Sequence, residues 1–200
     1  MNSNNAGRSL RRKVTTLLVA VLTALTAVVG APQASAANRD WLRPGCTWDP
    51  VKYWVQRCNV WSPAMNRHIP VQIQPAQRGG NAGLYMLDGL RATERTNAWV
   101  HDVNAARTFV NHNITLVMPV GGESSFYTDW NAPATYDFNH PVTYKWDTFL
   151  TKELPPYLQQ HFGVSPTNNS ILGLSMGGTA AINLAALHPN QFRQVLSFSG

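Results

Sequence analysis

Ser170-Ile171-Leu172-Gly173-Leu174-Ser175-Met176-Gly177-Gly178 is the stretch on which the reading of this chain turns. The short apolar run from Ser170 to Leu174 leads into a serine with a glycine two residues before it and another two residues after it. From Gly177 to Leu187 the chain is rich in alanine and leucine, and His188-Pro189 stops the pattern. Strand, tight turn and helix in that order raise a hydroxyl clear of a sheet, with a helix N-terminus beneath it. A turn that sharp leaves room only for small residues at positions 173 and 177. Ser175 is therefore the candidate nucleophile. The backbone N–H of Met176 is expected to offer half of an oxyanion hole to the carbonyl under attack. By itself the five-residue pattern is a modest signal, and a serine capping the same helix is the competing reading.

Upstream, the elements follow an informative order. Trp54 to Trp61 and His68 to Gln74 both alternate, with Ser62-Pro63 and Asn66 between them, which predicts an antiparallel hairpin. Pro70 cannot donate to a ladder, so an edge position is expected for its strand. Leu84 to Leu87, Ile114 to Val120, Ser170 to Leu174 and Val195 to Phe198 are continuous apolar runs, as a parallel sheet covered on both faces requires. Helical spacing separates them: Trp99, Val103, Ala106 and Val110, then Trp146, Phe149 and Leu150, with Pro155-Pro156 breaking or restarting the second helix. A hairpin followed by alternating strands and helices predicts an α/β protein, a three-layer sheet of the α/β-hydrolase type. The connection from Gly121 to Thr143 is long and carries Phe126, Tyr127, Trp130 and Tyr136. It reads either as a functional loop or as a surface loop packed by its own rings.

A second oxyanion donor is expected from the loop after an earlier strand. Leu84 to Leu87 runs into Asp88-Gly89-Leu90-Arg91 at the carboxyl edge of the sheet, where ligands bind in such folds. Gly89 is expected to let the backbone turn, and the Leu90 N–H is the candidate donor. Asp88 and Arg91 share that rim. A carboxylate beside a guanidinium suits a polyhydroxyl ligand, and it equally suits a local ion pair that fixes the loop.

The rest of a catalytic triad should follow the nucleophile as acid, then histidine. After Ser175 there is only His188, with no Asp or Glu, and His188 ends the elbow helix several turns away. His68, His101, His112, His140 and His161 precede the serine and read as surface or packing residues. The expectation is an N-terminal portion of a longer enzyme, nearly inactive without its base. No metal and no cofactor is called for.

At the other end, Arg8, Arg11, Arg12 and Lys13 precede an uncharged apolar run from Val14 to Val29, and Ala34-Ser35-Ala36 follows. This is the pattern of a signal peptide over residues 1–36, cleaved before Ala37. The run is short of the ~20 residues a spanning helix needs. Arg11-Arg12 permits a twin-arginine route. The remaining 37–200 suffices for one domain. Its twelve basic against ten acidic side chains remove the main support for nucleic-acid binding that the whole-chain net charge of +6 suggested. Cys46 and Cys58 suit a disulfide clamping the N-terminal arm, since no further metal ligands are suitably spaced.

Leu87-Asp88-Gly89-Leu90-Arg91-Ala92, Val117-Met118-Pro119-Val120-Gly121-Gly122, Ser124-Ser125-Phe126-Tyr127, Tyr144-Lys145-Trp146 and Gly173-Leu174-Ser175-Met176 together resemble the antigen 85 mycolyltransferases and their corynebacterial relatives. The similarity is visible from about Arg67 to Gly200. It implies an extracytoplasmic enzyme of the cell envelope that moves mycolic acid from trehalose monomycolate to a second trehalose monomycolate or to arabinogalactan. On that pattern Ser175 forms the mycolyl-enzyme, Leu90 and Met176 supply the oxyanion N–H groups, and Asp88 and Arg91 hold trehalose. The resemblance also implies contact with the envelope surface and, as in relatives, binding to an extracellular matrix protein, fibronectin.

The chain departs from that pattern at several points. Tyr136-Asp137-Phe138-Asn139 replaces a segment where relatives often carry a disulfide, and Cys46 and Cys58 have no match. The family's glutamate, histidine and acyl-tunnel region have no counterpart. Two rival readings stand beside the transferase: a carboxylesterase of the esterase D type, which shares Ser175-Met176-Gly177-Gly178, and a secreted binding protein without catalysis.

Overall fold

The computed structural model describes residues 39–134 and 141–200. The expected export signal, His140 and the Tyr136-to-Asn139 segment lie outside those residues. Seven strands form one sheet in the order β1-β2-β3-β5-β4-β6-β7. They are β1 (Cys46–Trp48), β2 (Gln56–Ser62), β3 (Arg67–Gln74), β4 (Gly83–Leu87), β5 (Thr115–Pro119), β6 (Asn169–Leu174) and β7 (Phe192–Phe198). β2 and β3 make the expected hairpin, with Val60 opposite Ile69. β4, β5, β6 and β7 run parallel to one another, and β3 joins them antiparallel through β5.

Pro70 does not mark an edge. β3 lies between β2 and β5, and Pro70 is tolerated because it stands just past the end of the β3–β5 ladder. There only its carbonyl is used, accepting from the Val120 N–H at 2.9 Å. The ring nitrogen faces the same way, beyond the last β5 residue, so no ladder donor is lost.

Alternation along the central strands divides the core in two. Leu84 and Met86 of β4 join Leu116, Met118 and Leu172 in a cluster with Val100 and Ala105 on one face. Tyr85 and Leu87 point the other way, into a larger cluster with Val117, Ile171, Trp146, Phe149, Leu158 and Leu184. The sheet is thus the middle of three layers, as its continuous apolar strands require. β7 is the exception. Only Phe192 is buried, while Val195, Leu196 and Phe198 are exposed, so this run is not covered as its composition led one to expect.

The segment from Trp99 to Val110 is two short helices rather than one: α1 (Ala98–His101) and α2 (Ala105–Thr108). Asn104 adopts a left-handed backbone (φ 47°) between them, and its side chain accepts from the Arg107 N–H. Asn97 caps α1 in the same manner through the Trp99 N–H. Two asparagines that compete for backbone hydrogen bonds therefore override the apolar spacing, and Val103 points to solvent.

Further along, α3 (Trp146–Thr148) widens into a π-helical turn (Phe149–Glu153) before α4 (Leu154–Phe162). The prolines 155 and 156 fall in the first turn of α4, where missing N–H groups cost little. The wider turn closes with the Leu154 N–H donating to the Phe149 carbonyl, five residues back. α5 (Met176–Leu187) follows β6.

Cys46 and Cys58 are directly opposed in the β1–β2 ladder and form a disulfide. The bond closes a short loop and pins the edge strand that the alternation did not reveal. Reduction, or a Cys46→Ser/Cys58→Ser pair, should cost about 3 kcal/mol by the loop-entropy relation. Thermal melts with and without reductant would register this as a fall on the order of 10 °C.

Candidate active site

The turn between β6 and α5 is built by steric exclusion. Ser175 stands at φ 54°, ψ −119°, a region that side chains other than hydrogen rarely occupy. Its N–H donates to the Phe198 carbonyl at 2.7 Å and its carbonyl accepts from the Thr179 N–H at 3.0 Å, so sheet and helix both clamp it. A Cβ on Gly173 would lie 2.1 Å from the Gly177 carbonyl oxygen. One on Gly177 would lie 2.5 and 2.6 Å from the carbonyl oxygens of Asp88 and Leu87. Both neighbours are backbone and cannot yield, which gives the expected requirement for small residues its physical content. The Ser175 side chain makes no capping hydrogen bond and the residue is exposed, so the helix-capping reading fails.

Gly177 also explains how the second oxyanion candidate is brought close. Its missing Cβ lets the start of α5 lie directly on the Leu87-Asp88 backbone, at the head of the loop carrying Leu90. Among the described residues neither the Leu90 N–H nor the Met176 N–H donates to a protein acceptor. Gly89 is different from the expectation. Its φ is not in the left-handed region, and a Cβ there would meet only the Leu174 carbonyl oxygen, at 3.8 Å. The loop turns instead through the Ala92 N–H to the Gly89 carbonyl, 3.1 Å.

Asp88 and Arg91 do not form the local ion pair. The Asp88 carboxylate is spent on backbone: Oδ1 accepts from the Gly89 N–H at 2.8 Å and Oδ2 from the Ala98 N–H at 2.9 Å. Arg91 is exposed at the same rim. Both line an open cavity of about 580 Å3, together with Leu90, Arg95, His101 and Leu174. Burial raises the Asp88 pKa above its ordinary value; the amides of Ala98 and Gly89 oppose the shift, and nearby Asp102 adds to it. A carboxyl raised in the folded state binds its proton more tightly than in the unfolded chain. Its contribution to stability therefore falls as pH rises from the ordinary carboxylate value to the raised one. Followed by carboxyl-carbon NMR, Asp88 should titrate with a midpoint above 3.8. A midpoint at or below that value would mean that the two amides outweigh burial.

Several supports for this rim went unread in the sequence. Asp88 donates its own N–H to the Tyr127 hydroxyl at 2.9 Å, and the Ser124 N–H donates to the Leu90 carbonyl at 3.0 Å. The Phe126 N–H reaches the Met176 sulfur at 3.2 Å. The long connection after β5 thus packs on both oxyanion candidates. It does so through a sharply turned backbone, with positive φ at Gly121, Gly122, Ser124, Phe126 and Tyr127. Among the described residues, the rings of that loop pack on residues beyond it, Tyr127 on Trp146 and Trp130 on Tyr144, and not on one another. Tyr127 is fully buried edge-on against Trp146, and Trp130 donates to the Ser125 carbonyl, while Phe126 is left exposed. The Gly121-Gly122 pair was the one available signal.

No histidine among the described residues is brought to the serine by a hydrogen bond. His188 ends α5, roughly 20 Å along the helix from Ser175, and its Nε2 meets Asp147 Oδ1 at 2.9 Å. That is the structural role expected of it. His101 lines the cavity but bonds the solvent-facing Asp102 at 2.7 Å. His68, His112 and His161 lie against Trp61, Phe109 and Tyr157. No group of three or more metal-ligating side chains converges among the described residues.

The chain is 46% identical over 189 residues to the diacylglycerol acyltransferase/mycolyltransferase Ag85B of Mycolicibacterium smegmatis, covering 94% of this chain and 55% of that protein. It is 45% identical to Ag85A of Mycobacterium leprae, covering 98% and 55%. The match therefore extends N-terminal to Arg67, from which the resemblance is visible in the sequence. The chain spans about half the length of these curated relatives. Among solved structures, Mycobacterium tuberculosis MPT51 (FbpC1) is 36% identical with a TM-score of 0.60, over 69% of this chain and 48% of that one. An S-formylglutathione hydrolase from Agrobacterium tumefaciens shares the fold at 18% identity, with a TM-score of 0.60 over 78% of this chain and 60% of its own. The family model described as "Putative esterase" matches residues 62–200, from the end of β2 through the elbow to β7, and the chain belongs to that esterase family, with the Ag85 mycolyltransferases among its relatives.

Proposed function

We propose that the full-length protein is an exported serine acyltransferase. It moves mycolic acid from trehalose monomycolate to a second trehalose monomycolate or to arabinogalactan. The observation that carries this is Ser175, exposed on a backbone turn of φ 54° at the head of a helix whose Gly177 lies on the Leu87-Asp88 backbone, where the Leu90 loop begins. Identity of 46% to a mycolyltransferase supports the choice of acyl group.

In this reading the Ser175 oxygen attacks the ester carbonyl, and the carbonyl oxygen takes up negative charge opposite the two amides. In comparable sites one such donor is worth about 3–4 kcal/mol of the barrier. Collapse breaks the ester C–O bond, the serine proton passes to the departing trehalose oxygen, and a mycolyl ester is left on Ser175, which an acceptor hydroxyl then attacks by the same route in reverse. Asp88 and Arg91 hold the sugar: the carboxylate keeps lone pairs beyond the two it gives to backbone, and the exposed guanidinium donates. Among the described residues no side chain hydrogen-bonds Ser175 as a general base, and the activity is proposed for the whole protein, the chain spanning about half the length of its curated relatives.

Export rests on the basic, apolar and small-residue sequence of residues 1–36. The Cys46–Cys58 disulfide supports it, because such bonds persist in oxidising compartments. Supplying the full-length protein with trehalose monomycolate tests the reaction. Trehalose dimycolate is the expected product, and free mycolate alone would make the protein a hydrolase. A fluorophosphonate probe should label Ser175, and absence of labelling would leave only a binding role.

A further inference from the structure

The β1–β2 turn carries a feature that acyl transfer does not use. Trp48, at the end of β1, and Trp54, just before β2, leave 46% and 39% of their surface in solvent, although an indole gains more from burial than almost any other side chain. They border an open hollow of about 620 Å3, with Tyr53, Lys52 and Asp49 on its lining. Lys52, Tyr53 and Trp54 take positive φ in succession, 70°, 50° and 61°, without a glycine among them.

Such a backbone persists only when its surroundings hold it, and here they do. The Val55 N–H donates to the Lys52 carbonyl at 3.0 Å, and the Asp49 N–H to the Val55 carbonyl at 2.9 Å. The buried Gln74 amide donates to the Tyr53 carbonyl at 2.7 Å. Trp54 is oriented by its Nε1 on Asp40 Oδ1, 2.8 Å away, and by the Arg39 guanidinium 5.4 Å from its ring centre. The Trp54 ring is therefore held in place, and Trp48 is carried on the paired end of β1 opposite Gln56.

We propose that this hollow is a carbohydrate subsite that takes one pyranose unit of an uncharged glycan. The flat, weakly polar C–H face of a pyranose stacks on an indole at little conformational cost to either. Its hydroxyls both donate and accept, which matches a rim where a carboxylate, Asp49, accepts and an ammonium, Lys52, donates. Asp49 gives Oδ1 to the Val51 N–H and Oδ2 to Gln72 and retains lone pairs on each oxygen. Lipid chains are disfavoured because they would strip water from both charges. Anions are disfavoured by the two nearby carboxylates, and cations by Lys52 and by Arg39 already placed on Trp54.

The site is separate from the nucleophile. Five strand spacings divide β1 from β6, roughly 24 Å across the sheet. Trp48 pairs with Gln56, so the hollow lies toward the rim where the parallel strands begin, while Ser175 follows their carboxyl ends. The inference does not depend on the transferase reading.

Titrating the full-length protein with laminarihexaose and with maltohexaose, read by tryptophan fluorescence and by indole N–H shifts in NMR, tests it. A saturable response to at least one hexaose is expected. Trp48→Ala should weaken that binding about tenfold or more, Lys52→Ala should weaken it less, and Ser175→Ala should leave it unchanged. Trp48 is an exposed edge residue, and Trp48→Phe, which keeps an aromatic face, should retain most of the affinity. The proposal is overturned by no saturable response to either sugar, by full affinity in Trp48→Ala, or by tetramethylammonium moving the same indole signals while the sugars do not.

Discussion

Ser175→Ala in the full-length protein should lower transfer from trehalose monomycolate by about four orders of magnitude or more, with folding stability left within about 0.5 kcal/mol of the parent. The asymmetry follows from the position of the side chain. Ser175 is exposed and its hydroxyl caps nothing, so losing the oxygen removes reactivity without removing a structural bond. Ser175→Gly separates the two effects further. The backbone at φ 54°, ψ −119° costs a serine about 1–3 kcal/mol that a glycine does not lose. The glycine variant should therefore be as inactive as the alanine one yet melt higher, by about 2–4 °C per kcal/mol in a domain of this size. Transfer assays and thermal melts on the three proteins decide the matter. Appreciable transfer by Ser175→Ala would remove the nucleophile from the account altogether.

Gly173→Ala should be strongly destabilising, costing about 3 kcal/mol or more. The new methyl would lie 2.1 Å from the Gly177 carbonyl oxygen and 2.2 Å from its carbon, both fixed in the first turn of α5. Gly177→Ala should rank beside it, because the carbonyls of Leu87 and Asp88 block that position. Any relief would push the helix away from the Leu87-Asp88 backbone and so from the loop that carries Leu90. Gly178→Ala meets the rotatable Ser197 hydroxyl first, at 2.8 Å, and should cost less. Gly89→Ala, with nothing closer than 3.8 Å, should be close to neutral for folding. Chemical denaturation of the four variants would give this order. A Gly173→Ala protein as stable as the parent would contradict the packing described at the elbow.

Much of the fold was legible before any coordinates because the signals are local. Period-two alternation marked β2 and β3, unbroken apolar runs marked β4, β5 and β6, and the spacing of Gly173, Ser175 and Gly177 marked the elbow. Reading failed where distant chain decides. Pro70 was read as an edge signal, but whether a proline is harmful depends on how far the neighbouring ladder extends, and β5 is 45 residues further on. The Trp99-to-Val110 helix was read through Asn104, whose side chain closes a new cap there. β1 is three residues long and has too few alternations to register. β7 carries a buried strand's composition and is exposed.

What the sequence by itself determined is the tight turn that carries Ser175 and the order of the elements around it, since a glycine requirement and a hydrophobic period are properties of neighbouring residues. The tertiary structure alone decided what surrounds that turn. Asp88 gives its carboxylate to backbone amides of Gly89 and Ala98 rather than to Arg91, and Tyr127 and Phe126 bond Asp88 and Met176 from 39 and 50 residues away. A polar side chain bonds whichever partner the folded chain brings within about 3 Å, and that proximity is a property of the closed sheet, not of any segment read alone.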